Sequence, residues 1–541
     1  MFNILVTDKV SEEGLKKLYA HKDFIVEHQP GIAPEDLKAT IGQYDGLIVR
    51  NQTKVTKDII EASGNLRVIA RAGVGVDNID VDAATRKGII VVNSPGGNTI
   101  SATEHTLAMM LSLSRNIPQA HKSAAAGKWE REKFKGVELF KKTLGVIGTG
   151  KIGTEVAKRA KAFGMAVLGY DPYLTEERAA KLGIKKATLD EIAAQADFIT
   201  LHTPLMKETR HLINEAFLAK TKKGVRIINC ARGGLVDEQA LLQALQEGRV
   251  AGAALDVFEN EPEITPGLLE LPNVIVTPHL GASTREAQVR VAADVSDEII
   301  HIFESEEIRN AINMPQTSGE NRERMEPFLL LGEQVAQLGI QLLDEAPEKI
   351  EITYAGELLD EDTKLLTRTI IKGILARHLG STVNLVNALH LLKEQGLTYN
   401  LQRNASFKGF SNYLELALYK KGKQVNIGAS IINGFGGRIV KLNDYRVDLR
   451  PEQHLLYIRH LDIPGMIGQV GSILGSNDTN IGTMQVGRKE IGGEAIMVLT
   501  LDKTASRQVL DQLKEVIGIK AVQTLELATG YTFQEEPFVE V

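Results

Sequence analysis

Cysteine is nearly absent. Cys230 stands alone among 541 residues, which excludes an intrachain disulfide framework and leaves stability to packing and hydrogen bonds. Long apolar runs are missing too. No stretch of about 18 such residues exists, the length a helix needs to cross a bilayer. The opening MFNILVTDKVSEEG has no basic segment followed by an apolar one, so it does not read as a secretory signal, and the cytoplasm is the default compartment. An excess of positive charge is also lacking. The formal net charge of −6, from 63 basic and 69 acidic residues, gives no global reason to bind nucleic acid or an anionic membrane. Repeats and low-complexity blocks are not seen. What remains is ordinary for a soluble globular chain, 43% hydrophobic and 24% charged. Its length exceeds one core and calls for roughly three to four domains.

The first hundred residues alternate β-rich runs (FNILVTD, DFIVEH, DGLIVR, LRVIARAG, IIVVNS) with helical patterns (PEDLKATI, KDIIEAS, VDAATRKG). That alternation predicts a parallel sheet covered on both faces. A helical stretch over residues 101–128 is long enough to connect two domains. The pattern restarts with TLGVIGTGKIG, then AVLGYD, DFITLH, VRIINC, AALDV and NVIVTP as strands. A helix over 284–304 returns to the first lobe, so the second lobe reads as an insertion. Residues 313–327, NMPQTSGENRERMEP, give the strongest linker signal. Beyond them lie a strand (KIEITYAGEL), two helical stretches, and antiparallel strands over 398–450. The last domain reads βαββαβ, the ferredoxin-like order. The acidic tail GYTFQEEPFVEV is expected to be poorly ordered.

Gly148, Gly150 and Gly153 form a GxGxxG loop after an apolar strand and before a helix. They supply a tight turn, close approach to a pyrophosphate, and close helix–strand packing. The helix starting near Ile152 directs free N–H groups and its positive dipole end at the phosphates. Asp171, at the end of the next strand, can accept from ribose hydroxyls and would repel a 2′-phosphate. NAD is therefore favoured over NADP.

Three polar residues follow later strands: Arg232 after RIINCA, Glu261 after GAALDVFEN, His279 after NVIVTP. Ligands of open parallel sheets bind at the carboxyl ends of strands. Imidazole titrates near working pH, which suits His279 to take a proton from a substrate hydroxyl. Glu261 can orient that ring and stabilise the imidazolium. Arg232 offers a planar fork to a carboxylate. Singly, each has a structural alternative as a capped histidine, a solvated acid or a carbonyl-binding arginine. Together they point to hydride transfer from a 2-hydroxy acid.

The segments NSPGGNTISATEHTLAMML, GVIGTGKIG, GYDPY, LHTPL, NCARGGLVDE, ALDVFENEP and TPHLGAST resemble the signature segments of the NAD-dependent D-2-hydroxyacid dehydrogenases and cover most of residues 1–310. Within that family the chain is similar to a long form that oxidises 3-phosphoglycerate to 3-phosphohydroxypyruvate, the first step of L-serine biosynthesis. The resemblance implies an α/β fold, with a Rossmann dinucleotide domain (99–283) inserted in a flavodoxin-like substrate domain (1–98 and 284–312). An α+β intervening domain (318–451) and a ferredoxin-like ACT domain (453–528) follow. It carries over Arg232, Glu261 and His279 as catalytic residues. It adds Lys151, Ile152, Asp171, Thr203, Cys230, Ala231, Asp256, Gly281 and Ala282 to NAD binding, with Asp256 at the nicotinamide carboxamide. The substrate carboxylate would meet Arg232 and the backbone of Val74 and Gly75. Relatives often carry Thr where this chain has Val74, so a hydroxyl contact is lost while the N–H survives. For the phosphate, Arg50, Lys54, Arg131 and Lys133 are candidates, the last two across a subunit boundary. Some relatives carry a second Arg at the place of Gln52.

HLDIPGMIGQVGSILGSNDTNIGTMQ resembles the ACT ligand segment. It implies L-serine as a feedback effector, bound near His460, Asp462 and Asn480 between subunits of a homo-oligomer, a tetramer. A pure oligomerisation module is the alternative. Arg438, Lys441, Arg446 and Arg450 read equally as an anion site or as basic surface. Cys230 reads as a packing residue, with redox control the alternative. Rival functions are a glyoxylate or hydroxypyruvate reductase and an NAD-sensing corepressor on the same scaffold.

Overall fold

In the computed structural model, which describes residues 1–305, 308–315, 319–407 and 409–528, the predicted β-rich runs build four sheets. The tail GYTFQEEPFVEV lies outside the described residues. Contacts divide the chain into two units, Met1–Ile79 with Val92–Asn310, and Asp80–Val91 with the chain from Ala311 onward.

The first sheet contains β1 (Phe2–Val6), β2 (Phe24–His28), β3 (Gly46–Val49), β4 (Val68–Arg71) and β5 (Ile90–Asn93) in the order β2-β1-β3-β4-β5. The pairs β1–β2, β1–β3 and β3–β4 are parallel. Every residue of β3 is buried, as a strand covered on both faces requires. The predicted helices stand at Pro34–Thr40, Lys57–Ala62 and Val81–Lys87. One further helix, Glu12–Ala20, is absent from the sequence reading, because its apolar stripe is only Leu15 and Leu18 among charged residues. It packs against the returning helix Arg285–Ser305, with Gly14 in the contact. Phe303 of that helix packs at a tilt against Phe2, with Arg67 over its ring.

The second sheet contains β6 (Thr143–Ile147), β7 (Ala166–Tyr170), β8 (Lys185–Lys186), β9 (Phe198–Leu201), β10 (Val225–Asn229), β11 (Val250–Leu255) and β12 (Val274–Val276). All its pairs are parallel, in the order β12-β11-β10-β9-β6-β7-β8. The order reverses between β6 and β9, and a crevice opens at such a switch point. The single long helix predicted over 101–128 is two helices, Thr99–Arg115 and Ile117–Ala125. Asn116 between them adopts the left-handed region, φ 52, and Pro118 in the first turn of the second helix has no N–H to continue the first.

The second unit holds a six-stranded sheet of β13 (Lys349–Gly356), β14 (Thr398–Asn404), β15 (Asn412–Lys420), β16 (Lys423–Ile432), β17 (Gly436–Leu442) and β18 (Tyr445–Leu449), ordered β14-β13-β15-β16-β17-β18. The all-antiparallel reading of 398–450 needs one correction. β14 runs parallel to β13, because the helices Lys364–Leu379 and Ala388–Glu394 form the crossover between them. The linker reading of 313–327 also changes: a helix spans Gly319–Leu343 with Pro327 inside it. Met325, Leu331, Val335 and Leu338 bury its apolar face, and that packing overrides local polarity and the proline.

The last sheet has β19 (His454–Leu461), β20 (Ile481–Arg488), β21 (Glu494–Leu501) and β22 (Ile519–Glu526), all antiparallel, in the order β20-β21-β19-β22. With helices Met466–Ser476 and Arg507–Lys514 this is the predicted βαββαβ unit. The long helix Gly319–Leu343 covers the backbone of its edge strand. Gln341 donates to Glu526 O at 2.7 Å and accepts from Glu526 N at 3.0 Å, and Gln337 accepts from Ala528 N at 2.6 Å. Covering an edge in this way removes a template for unwanted pairing. Among the described residues no helix is long and apolar enough to cross a membrane.

A side chain at Gly14 would stand 2.4 Å from Ala292 Cβ and 2.5 Å from Val289 O. Gly14→Ala should therefore push the two helices apart and destabilise the first unit by about 1–3 kcal/mol. Thermal unfolding measures this, and an unchanged midpoint would contradict the packing.

Candidate active site

The strand β12 delivers Thr277, Pro278 and His279 to the carboxyl edge of the second sheet. His279 is held at φ 54, a left-handed conformation that non-glycine residues avoid. Its neighbours impose that conformation. His279 N donates to Asp256 O at 2.9 Å, and the Asp256 carboxylate accepts from Leu280 N at 2.7 Å, Gly281 N at 2.8 Å and the Thr277 hydroxyl at 2.6 Å. His105, from the connecting helix Thr99–Arg115, approaches the same carboxylate at 3.1 Å. Asp256 is 0% exposed. Burial works against its charged form, yet His105, Thr277 and the turn N–H groups outweigh burial and hold it below the ordinary aspartate range.

His279 Nδ1 lies 2.8 Å from Glu261 Oε2, and Glu261 Oε1 accepts from Phe258 N at 3.1 Å. Burial disfavours the Glu261 carboxylate, but the hydrogen bond and charge of His279 prevail and keep it below the usual glutamate range. The acid thus stays ionised. It fixes the ring so that Nε2 is the nitrogen available to a substrate.

Arg232 follows β10. Its Nε donates to Asp77 at 3.0 Å and its Nη1 to Ala231 O at 2.6 Å. Nη2 lies where a Gly75 side chain would begin, so any larger residue there would displace the guanidinium from this position. The Val74 and Gly75 N–H groups have no partner among the described residues. A carboxylate beside Nη2 would satisfy them. Arg232, Val74 and Gly75 are thereby brought together, as the sequence suggested.

Arg50 follows β3 in the same lobe, and Arg71, which sequence reasoning missed, ends β4 beside it. Burial, then the charge of Arg232 and, less strongly, Arg50, push Arg71 down to about 10, with Asp77 and Asp8 opposing. Burial likewise lowers Arg50, offset by Asp8. The buried Arg71 Nε lacks a hydrogen-bond partner. Like charges crowded in a partly dry crevice are costly alone and favour an anion. The available signal was Arg71's own place at a strand's carboxyl end, in LRVIAR.

Other predicted residues sit apart. Lys54 lines a cavity of about 560 Å³ with Asp8, Lys38, Gln52 and Thr53. Arg131 and Lys133 stand exposed on the short helix Arg131–Phe134, where Lys133 is 3.8 Å from Glu130. Among the described residues neither contacts Arg232.

The glycine loop occupies the switch point. Gly148 has φ 94, and a side chain there would meet His202 O at 2.5 Å. One at Gly153 would meet Gly148 O at 2.0 Å. At Gly150 the space is open. The helix Lys151–Ala162 begins here. Asp171 accepts from Thr149 N at 2.9 Å, which ties the carboxylate to the loop. The buried hydroxyls of Thr149 and Thr203 have no partner. Open loop, helix start, tethered acid and unpaired hydroxyls fit a dinucleotide. Cys230 is partly buried beside Asp256, and desolvation followed by that charge pushes its thiol far up, which favours packing over redox reactivity.

In the last sheet His460 is 2% exposed; its Nδ1 contacts Leu461 O at 2.8 Å while its buried Nε2 is unpartnered. Asp462 accepts from Gly492 N at 3.3 Å, with Arg488 at 3.5 Å. Asn480 does not join them. The register pairs Leu461 with Glu494 but Ile481 with Leu501, so Asp462 and Asn480 lie at opposite ends of the sheet, roughly 20 Å apart at the usual rise per residue. One chain cannot close both on one small molecule. Arg438 and Lys441 have acidic partners, Asp448 at 3.3 Å and Glu415 at 2.6 Å, which weakens an anion site there.

Three family profiles match the chain: D-isomer specific 2-hydroxyacid dehydrogenase, NAD binding domain, over residues 107–281; D-3-phosphoglycerate dehydrogenase intervening domain over 324–443; and ACT domain over 454–518. The chain is 46% identical over 527 residues to the D-3-phosphoglycerate dehydrogenase of Bacillus subtilis, covering 97% of this chain and 100% of that one. It is 45% identical over 528 residues to that of Methanocaldococcus jannaschii, with the same coverage. Among solved structures, the TT0316 protein from Thermus thermophilus superposes with TM-score 0.54 at 34% identity, over 57% of this chain and 99% of that one. D-Lactate dehydrogenase from Aquifex aeolicus, complexed with NAD and lactic acid, gives 0.52 at 30%, over 58% and 100%.

Replacing the ring base, His279→Asn, should lower turnover by about 10²–10⁴. Steady-state kcat measures it, and near-normal turnover would eliminate the assignment. Asp171→Ala removes the carboxylate that repels a 2′-phosphate, so the preference for NAD over NADP should narrow. An unchanged ratio of kcat/KM for the two cofactors rejects that role.

Proposed function

Since the chain belongs to the D-3-phosphoglycerate dehydrogenases, within the D-isomer specific 2-hydroxyacid dehydrogenases, we propose how its own residues divide the work on 3-phosphoglycerate. The chain is an NAD-dependent oxidoreductase that forms 3-phosphohydroxypyruvate, the entry step of L-serine biosynthesis. The observation that carries the assignment of roles is the His279–Glu261 pair on the sheet edge that also carries Arg232.

Arg232 Nη2 and the N–H groups of Val74 and Gly75 hold the substrate carboxylate. Arg50 and Arg71 hold the phosphate, whose two negative charges offset their mutual repulsion. This orients C2 and its hydroxyl toward the second lobe. His279 Nε2 takes the hydroxyl proton, and Glu261 stabilises the imidazolium through Nδ1–H. Arg232 also places positive charge beside the oxygen as it becomes a carbonyl. NAD, when bound, supplies the acceptor for the hydride that leaves C2. Gly148, Gly150, Lys151 and Ile152 would face its pyrophosphate and Asp171 its adenosine ribose. Thr203, Cys230, Ala231, Gly281 and Ala282 would line the nicotinamide half, with Asp256 behind them.

The ACT domain supports an amino-acid effector, and L-serine, the pathway's end product, is the effector we assign. The unpartnered Nε2 of His460 and the acid of Asp462 suit one end of an amino acid. The distance to Asn480 means that a second chain must supply it. A homo-oligomer, in our reading a tetramer, follows from that incompleteness. The cytoplasm suits the lone free thiol.

A spectrophotometric assay of NADH formation with 3-phosphoglycerate and a panel of 2-hydroxy acids, with and without serine, tests the whole reading. The phosphorylated acid should give the highest kcat/KM, and serine should lower the rate. Preference for glycolate or glycerate would favour a glyoxylate or hydroxypyruvate reductase. Absence of serine binding together with absence of inhibition would reduce the ACT domain to an assembly module.

A further inference from the structure

The loop after β3 that carries Arg50 is clamped on both sides by residues distant in the chain. On one side Asp8, 1% exposed, accepts from Arg50 N at 2.6 Å, Gln52 N at 3.3 Å, Thr53 N at 3.1 Å and the Thr53 hydroxyl at 2.6 Å. On the other side the Asn78 side-chain amide donates to Arg50 O at 3.0 Å and to Thr53 O at 2.6 Å. An ionised carboxylate only accepts, and an amide NH₂ only donates. One side chain therefore collects the loop's N–H groups, and the other collects the carbonyls at its two ends. The Asn78 backbone is itself held, since its main-chain carbonyl accepts from Val55 N at 2.8 Å. The adjacent Asp77 holds Arg232. Two consecutive residues thus reach two of the three arginines of the crevice, Arg232 and Arg50.

We propose that Asp8 and Asn78 are positioning residues for phosphate recognition, acting through the Arg50–Thr53 backbone without touching substrate. The proposal rests on the reading that Arg50 holds the phosphate. A guanidinium contributes binding energy only where its donors already meet the oxygens, and a shift of an ångström forfeits much of it. The clamp removes that freedom before substrate arrives. A clamp that served stability alone would affect every substrate equally. One that serves Arg50 affects only substrates that carry the phosphate.

The test compares reduction of 3-phosphohydroxypyruvate and hydroxypyruvate, which differ only in the phosphate, by the full-length enzyme with NADH. Arg50→Ala serves as the reference. Asn78→Ala and Asp8→Asn should each lower the ratio of kcat/KM for the phosphorylated over the plain substrate by about tenfold or more, chiefly through KM for the phosphorylated one. The KM for NADH should not move. Thr53→Val, which deletes one hydroxyl contact to Asp8 without changing volume, should act in the same direction but less, and it guards against misfolding of the other two. Asp77→Ala should change both substrates by the same factor, because both carry the carboxylate that Arg232 binds. If Arg50→Ala lowers the ratio and none of Asn78→Ala, Asp8→Asn and Thr53→Val does, the positioning role is wrong and the phosphate reading stands. If Arg50→Ala leaves the ratio unchanged, both are wrong.

Discussion

The buried carboxylate of Asp256 is the constraint around which the catalytic edge is organised. A charge with no exposure to water is expensive unless every lone pair is engaged. Here the partners are the Thr277 hydroxyl, His105 and the N–H groups of Leu280 and Gly281. These bonds satisfy the charge, and they bend the chain at His279 into a left-handed conformation it would not choose. Strain at that residue, worth roughly 1–3 kcal/mol, is held by the surrounding network. The ring then meets Glu261, so the placement of the base proposed at His279 descends from the network around Asp256. His105 ties the same network to the helix that leaves the first lobe.

Electrostatics shape the other half of the crevice. Arg50, Arg71 and Arg232 come from three strand ends in two sheets, and burial weakens the first two as cations. A net charge of −6 over the whole chain conceals this local concentration. Two of them are held in place without any ligand: Arg232 by Asp77 and Ala231, the Arg50 backbone by its clamped loop. Preorganised charge stabilises developing polarity without paying reorganisation during the reaction.

The second unit follows a different logic. Its long helix is held by apolar contacts to the six-stranded sheet and by glutamines that bind the backbone of β22. Asp462 and Asn480 are split between the ends of one sheet, so one chain cannot bring both to one small molecule. Much of this was legible beforehand. The βαββαβ order, the parallel sheets and the returning helix each follow from hydrophobic period and turn chemistry within a dozen residues. The misreadings share one cause. The helix at Glu12–Ala20, the helix through Pro327 and the parallel β14 are decided by partners far along the chain, which local propensity does not contain.

The amino-acid sequence by itself determined the glycine loop with its acid, the strand ends bearing Arg232, Glu261 and His279, and the order of domains. Each is a short-range pattern in which residue type and spacing state the chemistry. Only the tertiary structure decided which of these groups meet. It set Arg71 beside Arg50 and Arg232, joined Asp77 to Arg232, fastened Asp8 and Asn78 to the Arg50 loop, and parted Asn480 from Asp462. The physical reason is separation along the chain. Asp77 and Arg232 are 155 residues apart, and Asp8 and Arg50 are 42 apart. Packing of whole sheets and helices, rather than any local preference, brings such pairs within hydrogen-bond reach.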